Sequence, residues 1–480
     1  MSIKFKNYEM YNKLILFYFT LLFVVVVQLP AGATIKLPPI FCNNMVLQQK
    51  SEVSIWGKAG ERKIVNVSTS WNQKSYTTKA GSDGFWNLKV HTPEAGGPYS
   101  IIISDGEILT LSGVLIGEVW LCSGQSNIAV TMKGYYNQPI EGGNDAIANS
   151  KNENVRLFTV QYNKKALPQY SFEGSWEECN PGNVANFSAV AYYFGRKLQN
   201  LLGVPVGLIS SSRGGTAIEQ WMREESLMQF DRVKMLQDDV SSRDYSTLYN
   251  GMIHPIAGYN IKGVIWYQGE ANCKHSLKYE KLLQKLIYSW RAEWNIGEFP
   301  FYLFQIAPYD YGDPSINSAF LRDAQRKVAQ KMQNVEMVSL IDIGEEHIIH
   351  PRKKELAGDR MALLAMVKTY GMKGVEYSGP VLKEMTVKGN VVKLTFTHAE
   401  NGFTTYGKEL VSFKIAGEDK YFHPANAEIT WMDHSISLWC PFVEKPVAVR
   451  YAFDDFVVGE LYNTEGLPAS SFRTDDWELK

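Results

Sequence analysis

The chain has 480 residues, 45% of them hydrophobic and 13% aromatic, enough to bury more than one core. Its 49 Lys and Arg residues face 50 Asp and Glu residues, a formal net charge of −1. No summed field draws such a chain to nucleic acid or to an anionic membrane, so a neutral ligand or a locally charged site is expected. The N-terminus carries Lys4, Lys6 and Lys13, then an apolar run from Leu14 to Val27, then Ala31-Gly32-Ala33. That layout predicts a secretory signal peptide over residues 1–33, cleaved after Ala33. The apolar run is shorter than the roughly 20 residues a spanning helix needs, so no stable membrane insertion is expected after cleavage. The expected location is periplasmic or extracellular. Five cysteines (Cys42, Cys122, Cys179, Cys273 and Cys440) show no C-x-x-C spacing and cannot all pair within one chain; buried free thiols are expected at Cys122 and Cys273.

From residue 34 to about 113, short alternating runs such as EVSIWG and KIVNVSTS, broken at Asp83-Gly84 and Asp105-Gly106, predict a small antiparallel β-sandwich domain. From about Val114 to residue 372, apolar strands alternate with helix-period segments, the pattern of a mostly parallel sheet covered on both faces. Strands are predicted over 114–122, 204–210, 261–267, 299–306 and 335–343. The clearest helix is YEKLLQKLIYSWRAEW, whose Tyr279, Leu282, Leu283, Leu286, Ile287, Trp290 and Trp294 form one core-facing stripe. Alternation returns after about Tyr370, predicting a C-terminal all-β domain over 373–480.

In open parallel sheets, ligands bind beyond the carboxyl ends of the strands. Three of the predicted strands end in polar, glycine-containing turns: Ser123-Gly-Gln-Ser126-Asn127, Ser211-Ser-Arg-Gly-Gly-Thr216, and Gln268-Gly-Glu270-Ala-Asn272. All three fall on one rim. A serine in a tight strand-to-helix turn stands above the sheet and can serve as a nucleophile, although serine is also a favoured helix cap. Of Ser123 and Ser126, Ser126 lies nearer the helix start. Its hydroxyl needs a base, and His350 lies beyond the fifth strand, with Pro351 suited to the first position of a following helix.

The segments EVWLCSGQSN (118–127), RGGTAIEQW (213–221), WYQGEAN (266–272) and IHPRKKELAGDR (349–360) resemble, in order and spacing, the sialate O-acetylesterases, a branch of the SGNH/GDSL hydrolases. IFCNNMVLQQ (40–49), GFWNLKV (84–90), VAVRYAF (447–453) and LYNTEGLPASSFRTDDW (461–477) extend the resemblance to the flanking β segments. It implies a three-layer α/β/α SGNH-hydrolase domain and a serine esterase that removes O-acetyl groups from sialic acids or other acetylated glycans. On matching positions it implies Ser126 as nucleophile and His350 as general base. The oxyanion hole would comprise the N–H of Ser126, the N–H of Gly215 (with Gly214 in reserve) and the side-chain amide of Gln268.

The third catalytic member departs from the family pattern. Many relatives have an aspartate two or three residues before the histidine, where this chain has Ile348 and His347. Related acetylxylan esterases with a Gln-Gly-Glu turn nominate Glu270 to orient the histidine, with Glu345, Glu346, Asp342 or a backbone carbonyl as competitors. His347 and His350 could share a metal-facing side of a helix, but Pro351 argues against a helix spanning both, and neither metal nor cofactor is expected. Arg213, beside the glycine pair, is suited to hold an acidic sugar's carboxylate bidentately; the plainer alternative is a solvated surface residue. Acetylxylan is the alternative substrate, and a non-catalytic glycan-binding protein the alternative class.

Overall fold

The computed structural model describes residues 35–228 and 244–477; the segment read as a signal peptide lies outside the described residues. Near the start, Ser51–Lys58 alternates buried Val53, Ile55 and Gly57 with more exposed neighbours and pairs antiparallel with Phe85–Thr92. Strands Ile64–Thr69, Lys74–Lys79 and Gly96–Ser104 build a second antiparallel layer. Val53, Ile55, Val65, Val67, Trp86 and Ile101 from the two layers share one core. Gly106, at φ 120°, turns the chain into β1 (Ile108–Gly124).

Strand β1 is long because it serves two sheets. Its first half pairs antiparallel with Gly96–Ser104, and its second half runs parallel to its neighbours in the centre of the molecule. The boundary expected at 113/114 therefore falls inside one continuous strand. Buried Glu118 locks this junction, accepting hydrogen bonds from Gln48 (3.2 Å), Gln49 (2.6 Å) and the Tyr370 hydroxyl (2.9 Å), so its burial leaves neither oxygen unpaired.

The remaining central strands are β2 (Asn152–Thr159), β3 (Trp176–Cys179), β4 (Val206–Ser212), β5 (Gly263–Tyr267), β6 (Phe301–Phe304) and β7 (Val335–Val338), in the spatial order β7-β6-β5-β1-β4-β2-β3. All of these pairs are parallel except β2–β3. This is a mixed α/β fold on a large central sheet. Along β5 the side chains alternate between two cores: Val264 and Trp266 join the stripe of α3 (Ser276–Trp294), while Ile265 and Tyr267 join that of α2 (Ala189–Leu202) and α5 (Lys354–Lys368). Both faces are covered, as a near-continuous apolar strand requires. The stripe predicted on α3 is buried at every named position.

The fifth predicted strand stops at Val338 rather than residue 343. Its partner β6 ends at Phe304, and the Ser339 carbonyl accepts from Arg360, which also clamps Asp342 through two 2.7 Å bonds. With no strand left to pair, the chain turns instead.

Beyond α5, Val381–Lys388, Val391–Thr397, Ser435–Trp439 and Asn426–Thr430 form one antiparallel sheet, and a second joins Phe422–Pro424, Phe413–Ala416, Ala448–Tyr451 and Phe472–Arg473. This C-terminal β region is pinned to α4 (Ala319–Lys331) by fully buried Arg322, which donates to Ser471 Oγ (2.9 Å) and to the Asp454 and Asp455 carbonyls, and by the Arg473–Asp323 ion pair (2.9 Å). A cavity of about 290 Å³ at this junction, lined by Arg326, Arg360, Tyr377 and His398 among others, contains none of the expected site residues. All five cysteines are free thiols, with Cys122 and Cys273 buried.

Candidate active site

The carboxyl ends of β4, β1 and β5 are level: Ser212 lies beside Gly124, and Gly124 beside Tyr267. This register brings the three polar turns together. Gly124 adopts φ 136°, and a Cβ there would stand 2.1 Å from the Tyr267 carbonyl oxygen, so only glycine fits the turn out of β1. Gly124→Ala is expected to cost about 3 kcal/mol of stability, read as a lowered urea midpoint; an unchanged midpoint would show that the turn relaxes freely.

The turn opens into α1 (Ser126–Ala129), with Gln125 at the cap position and Ser126 as the first helical residue. Ser126 is thus not there as a cap. Ser123 is fully buried and donates to the Ser211 carbonyl at 2.6 Å, a structural role. Among the described residues the Ser126 hydroxyl has no hydrogen-bond partner, and its backbone N–H is likewise unspent at the start of the helix.

Gln268, expected at the oxyanion hole, stands among the three rim turns. Its side chain is fully buried, and Nε2 donates to Gln125 Oε1 (3.1 Å), the Thr216 carbonyl (3.2 Å) and Asn272 Oδ1 (2.7 Å), while Oε1 accepts from the Tyr279 hydroxyl (2.7 Å). An amide with both hydrogens committed inside the protein has none left for an oxyanion. Gln268 knots the three rim turns to one another. Gln125 Oε1 reinforces the knot by also accepting from the N–H groups of Gly269 (3.3 Å) and Ala271 (3.2 Å).

Of the glycine pair, Gly214 is the one against Ser126: a Cβ on Gly214 would lie 3.3 Å from the Ser126 Cβ, whereas one on Gly215 would meet nothing within 4 Å. Gly215 supplies the left-handed turn, at φ 70°. Neither glycine N–H has an acceptor among the described residues.

His350 sits in an irregular loop after β7, and the helix expected to begin at Pro351 begins at Lys354 instead. The Arg352 N–H donates to Glu345 Oε1 (3.1 Å) and its carbonyl accepts from the Glu141 N–H (3.1 Å), holding the loop out of helical form. Nδ1 of His350 bonds to Gln138 Oε1, and the Tyr135 ring packs edge-on against the imidazole with centroids 5.2 Å apart. Both contacts come from a single tight turn closed by paired Tyr135–Gln138 backbone bonds and Asn137 at φ 58°. An amide oxygen only accepts, so Nδ1 carries the hydrogen and Nε2 presents its lone pair. Burial, and then the nearby Lys354 charge, pull the His350 pKa down to about 4.

The side chain bonded to the His350 ring is Gln138, and Glu270, expected to orient the histidine, bonds to Asn127. Glu270 is buried, and its Oε1 accepts from Asn127 Nδ2 at 2.6 Å. Of the other carboxylates, Asp342 pairs with Arg360 and Glu345 with Arg352, while Glu346 is exposed and lies 4.0 Å from the exposed His347. No hydrogen bond joins Ser126 to His350. Their link is one residue removed, because Asn127 Nδ2 also donates to the Ile349 carbonyl at 3.0 Å. Lys354, likewise buried, donates from Nζ to Asn127 Oδ1 and lies 5.4 Å from the Tyr267 ring centroid. Burial lowers its pKa to about 7 against the opposing pull of the Glu270 and Glu345 carboxylates, and burial raises that of Glu270.

Residues 116–364 match the family described as carbohydrate esterase, sialic acid-specific acetylesterase. The chain belongs to the sialate O-acetylesterase family. This esterase is 30% identical over 446 residues to a sialate O-acetylesterase of Rattus norvegicus, covering 78% of this chain and 81% of that one. The human sialate O-acetylesterase is 30% identical over 409 residues, 77% of each chain. Among solved structures, a carbohydrate acetylesterase from Xanthomonas citri is 33% identical with a TM-score of 0.85, covering 92% of this chain and 100% of that one.

Within this esterase, Arg213 stacks its guanidinium 4.2 Å from the Tyr162 ring centroid and lies close enough to Tyr135 to oppose in part the burial that raises the pKa of that tyrosine. It has no acidic partner among the described residues. Gln138, Tyr135 and Lys354 were invisible to sequence reasoning. Nothing local in Arg352-Lys353-Lys354 marks one lysine of a basic run as buried.

Proposed function

We propose that this esterase is an exported serine hydrolase that removes O-acetyl groups from sialic acid or a closely related acetylated sugar. Its central domain would be the three-layer SGNH arrangement that the family resemblance implies. One observation carries the reading: the turn of an unspent serine hydroxyl is tied through Asn127 to the loop of a histidine whose Nδ1 is engaged and whose Nε2 is free.

In the proposed reaction Ser126 Oγ attacks the acetyl carbonyl carbon while His350 Nε2 accepts the hydroxyl proton. The carbonyl oxygen becomes an oxyanion between the N–H groups of Ser126 and Gly214, preorganised donors typically worth about 3 kcal/mol each in the transition state. Collapse breaks the bond to the sugar oxygen, which leaves with the proton held by His350, and acetyl-Ser126 remains. Water, deprotonated by His350, then releases acetate and restores the serine.

Arg213 favours the acidic sugar over a neutral one. Its stacked, acid-free fork at the mouth of the site suits a carboxylate, and such a charged hydrogen bond is worth about 1.5–3 kcal/mol. Arg213→Gln is expected to lower kcat/KM for acetylated sialic acid by about tenfold or more and to leave acetylated xylo-oligosaccharides unaffected. An acetate-release panel over both substrates tests this. Equal loss on both would assign Arg213 to the fold, and preferential turnover of the xylo-oligosaccharide by the unmodified enzyme would replace the sialic acid reading with a neutral polysaccharide.

A further inference from the structure

Asn127 lies directly behind the proposed nucleophile and is 1% exposed, so every polar atom it carries has to be satisfied inside the protein. Its NH2 group is fully used, one hydrogen bond going to Glu270 Oε1 at 2.6 Å and one to the Ile349 carbonyl at 3.0 Å. An amide with its nitrogen end so placed has its oxygen end facing the other way, where it needs a buried donor. Lys354 Nζ is that donor. Lys354 is itself 1% exposed and forms no ion pair within 4 Å among the described residues, an expensive location for a lysine unless the contact it makes is needed. Across the cluster, Glu270 Oε2 is buried with no side-chain hydrogen-bond partner among the described residues, and Lys354 Nζ meets the Asn127 amide oxygen and not this carboxylate.

We propose that Lys354 is a positioning residue for the hydrolysis: by holding Asn127 Oδ1 it keeps the Asn127 amide in the orientation that lashes the histidine loop to the nucleophile helix. The inference rests on the Ser126–His350 reading and deepens it. Among the described residues no carboxylate bonds to His350, whose ring is gripped from outside by Gln138 and Tyr135. The tie from Asn127 to Ile349 therefore sets how far the imidazole stands from the serine, and Lys354 sets the tie. Without the lysine, Asn127 Oδ1 is left buried and unpaired. The side chain then gains by turning toward any other donor, which releases Ile349 and lets His350 drift. A misplacement of about 1 Å in a reacting group costs on the order of 100-fold in rate.

The test uses the full chain and a small acetate ester, with kcat and KM measured separately. Lys354→Met keeps the length and apolar stem of the side chain and removes the donor; Lys354→Met/Glu270→Gln also removes the carboxylate left without a cation while keeping an acceptor for Asn127. The expected result is kcat lowered about 100-fold in both variants with KM within a factor of about 2, and a matching loss in the rate of labelling by a fluorophosphonate. Should the single variant fail to fold, the double variant carries the same comparison. Unchanged kcat in Lys354→Met, or full recovery of kcat with melting temperature in the double variant, overturns the positioning role, since either shows that only charge balance was at stake. Ser126→Ala run in parallel separates the two claims: if it is inactive while Lys354→Met is fully active, only the positioning role falls, whereas turnover by Ser126→Ala overturns the site reading itself.

Discussion

Ser126→Ala is expected to lower kcat/KM for acetate release on the order of 10⁶-fold, with the melting temperature and far-ultraviolet circular dichroism unchanged. The two halves of this expectation have separate physical reasons. The hydroxyl is the bond-forming group, and what remains after its removal is only the assistance that oxyanion donors and substrate binding give to attack by water. The fold is indifferent because that hydroxyl has no hydrogen-bond partner among the described residues, so truncating it strands no donor or acceptor. The helix cap is Gln125, and Ser123 and Gln268 carry the turn. Because serine and histidine act on one proton, Ser126→Ala/His350→Ala is expected to be no worse than either single variant. Additive losses in the double variant, or turnover within tenfold of wild type in Ser126→Ala, would mean that the nucleophile lies elsewhere.

The second expectation concerns acid. The base must be neutral to accept a proton, so kcat/KM declines as pH falls through the pKa of His350 in the free enzyme. That pKa is pulled from the ordinary value near 6.5 to about 4 by burial and by Lys354, and among the described residues the partner of Nδ1 is an amide oxygen and not a carboxylate. The acidic limb should accordingly lie near pH 4. At pH 5 the enzyme should retain nearly all its activity, about thirtyfold more than an ordinary histidine base would allow. A family member with an aspartate on its histidine is expected to lose activity at higher pH. Restoring a carboxylate by Gln138→Glu should move the limb upward, because an anion beside the imidazole favours the charged form. A wild-type limb at pH 6 or above would show that His350 does not serve as the base. The same depressed pKa acts on stability with a definite sign. Between about pH 6.5 and pH 4 the unfolded chain binds a proton at this position that the native state does not, so this contribution is whole above pH 6.5 and is lost as pH falls through that window.

Features governed by neighbouring residues were legible before any coordinates. The apolar stripe of α3, the Gly106 hairpin, the strand-end turns and the place of Ser126 at a helix start follow from side-chain period, φ > 0 tolerance and turn chemistry, each confined to a few adjacent positions. Strand ends were less so, as at Val338, where the length of the partner strand decides the matter.

Four consequences of long-range packing were not legible. The grip of Gln138 on His350 joins residues 212 apart, the Glu270–Asn127 bond spans 143, and the Lys354–Asn127 bond spans 227. That the amide of Gln268 meets Gln125, Thr216 and Asn272 depends on three segments distant in sequence arriving at one place. The composition and motifs specify which reactive groups the protein owns. Which of those groups are spent on one another and which stay free for a substrate is settled when distant segments desolvate each other, since a polar atom's role in a dry interior depends on the partner that reaches it.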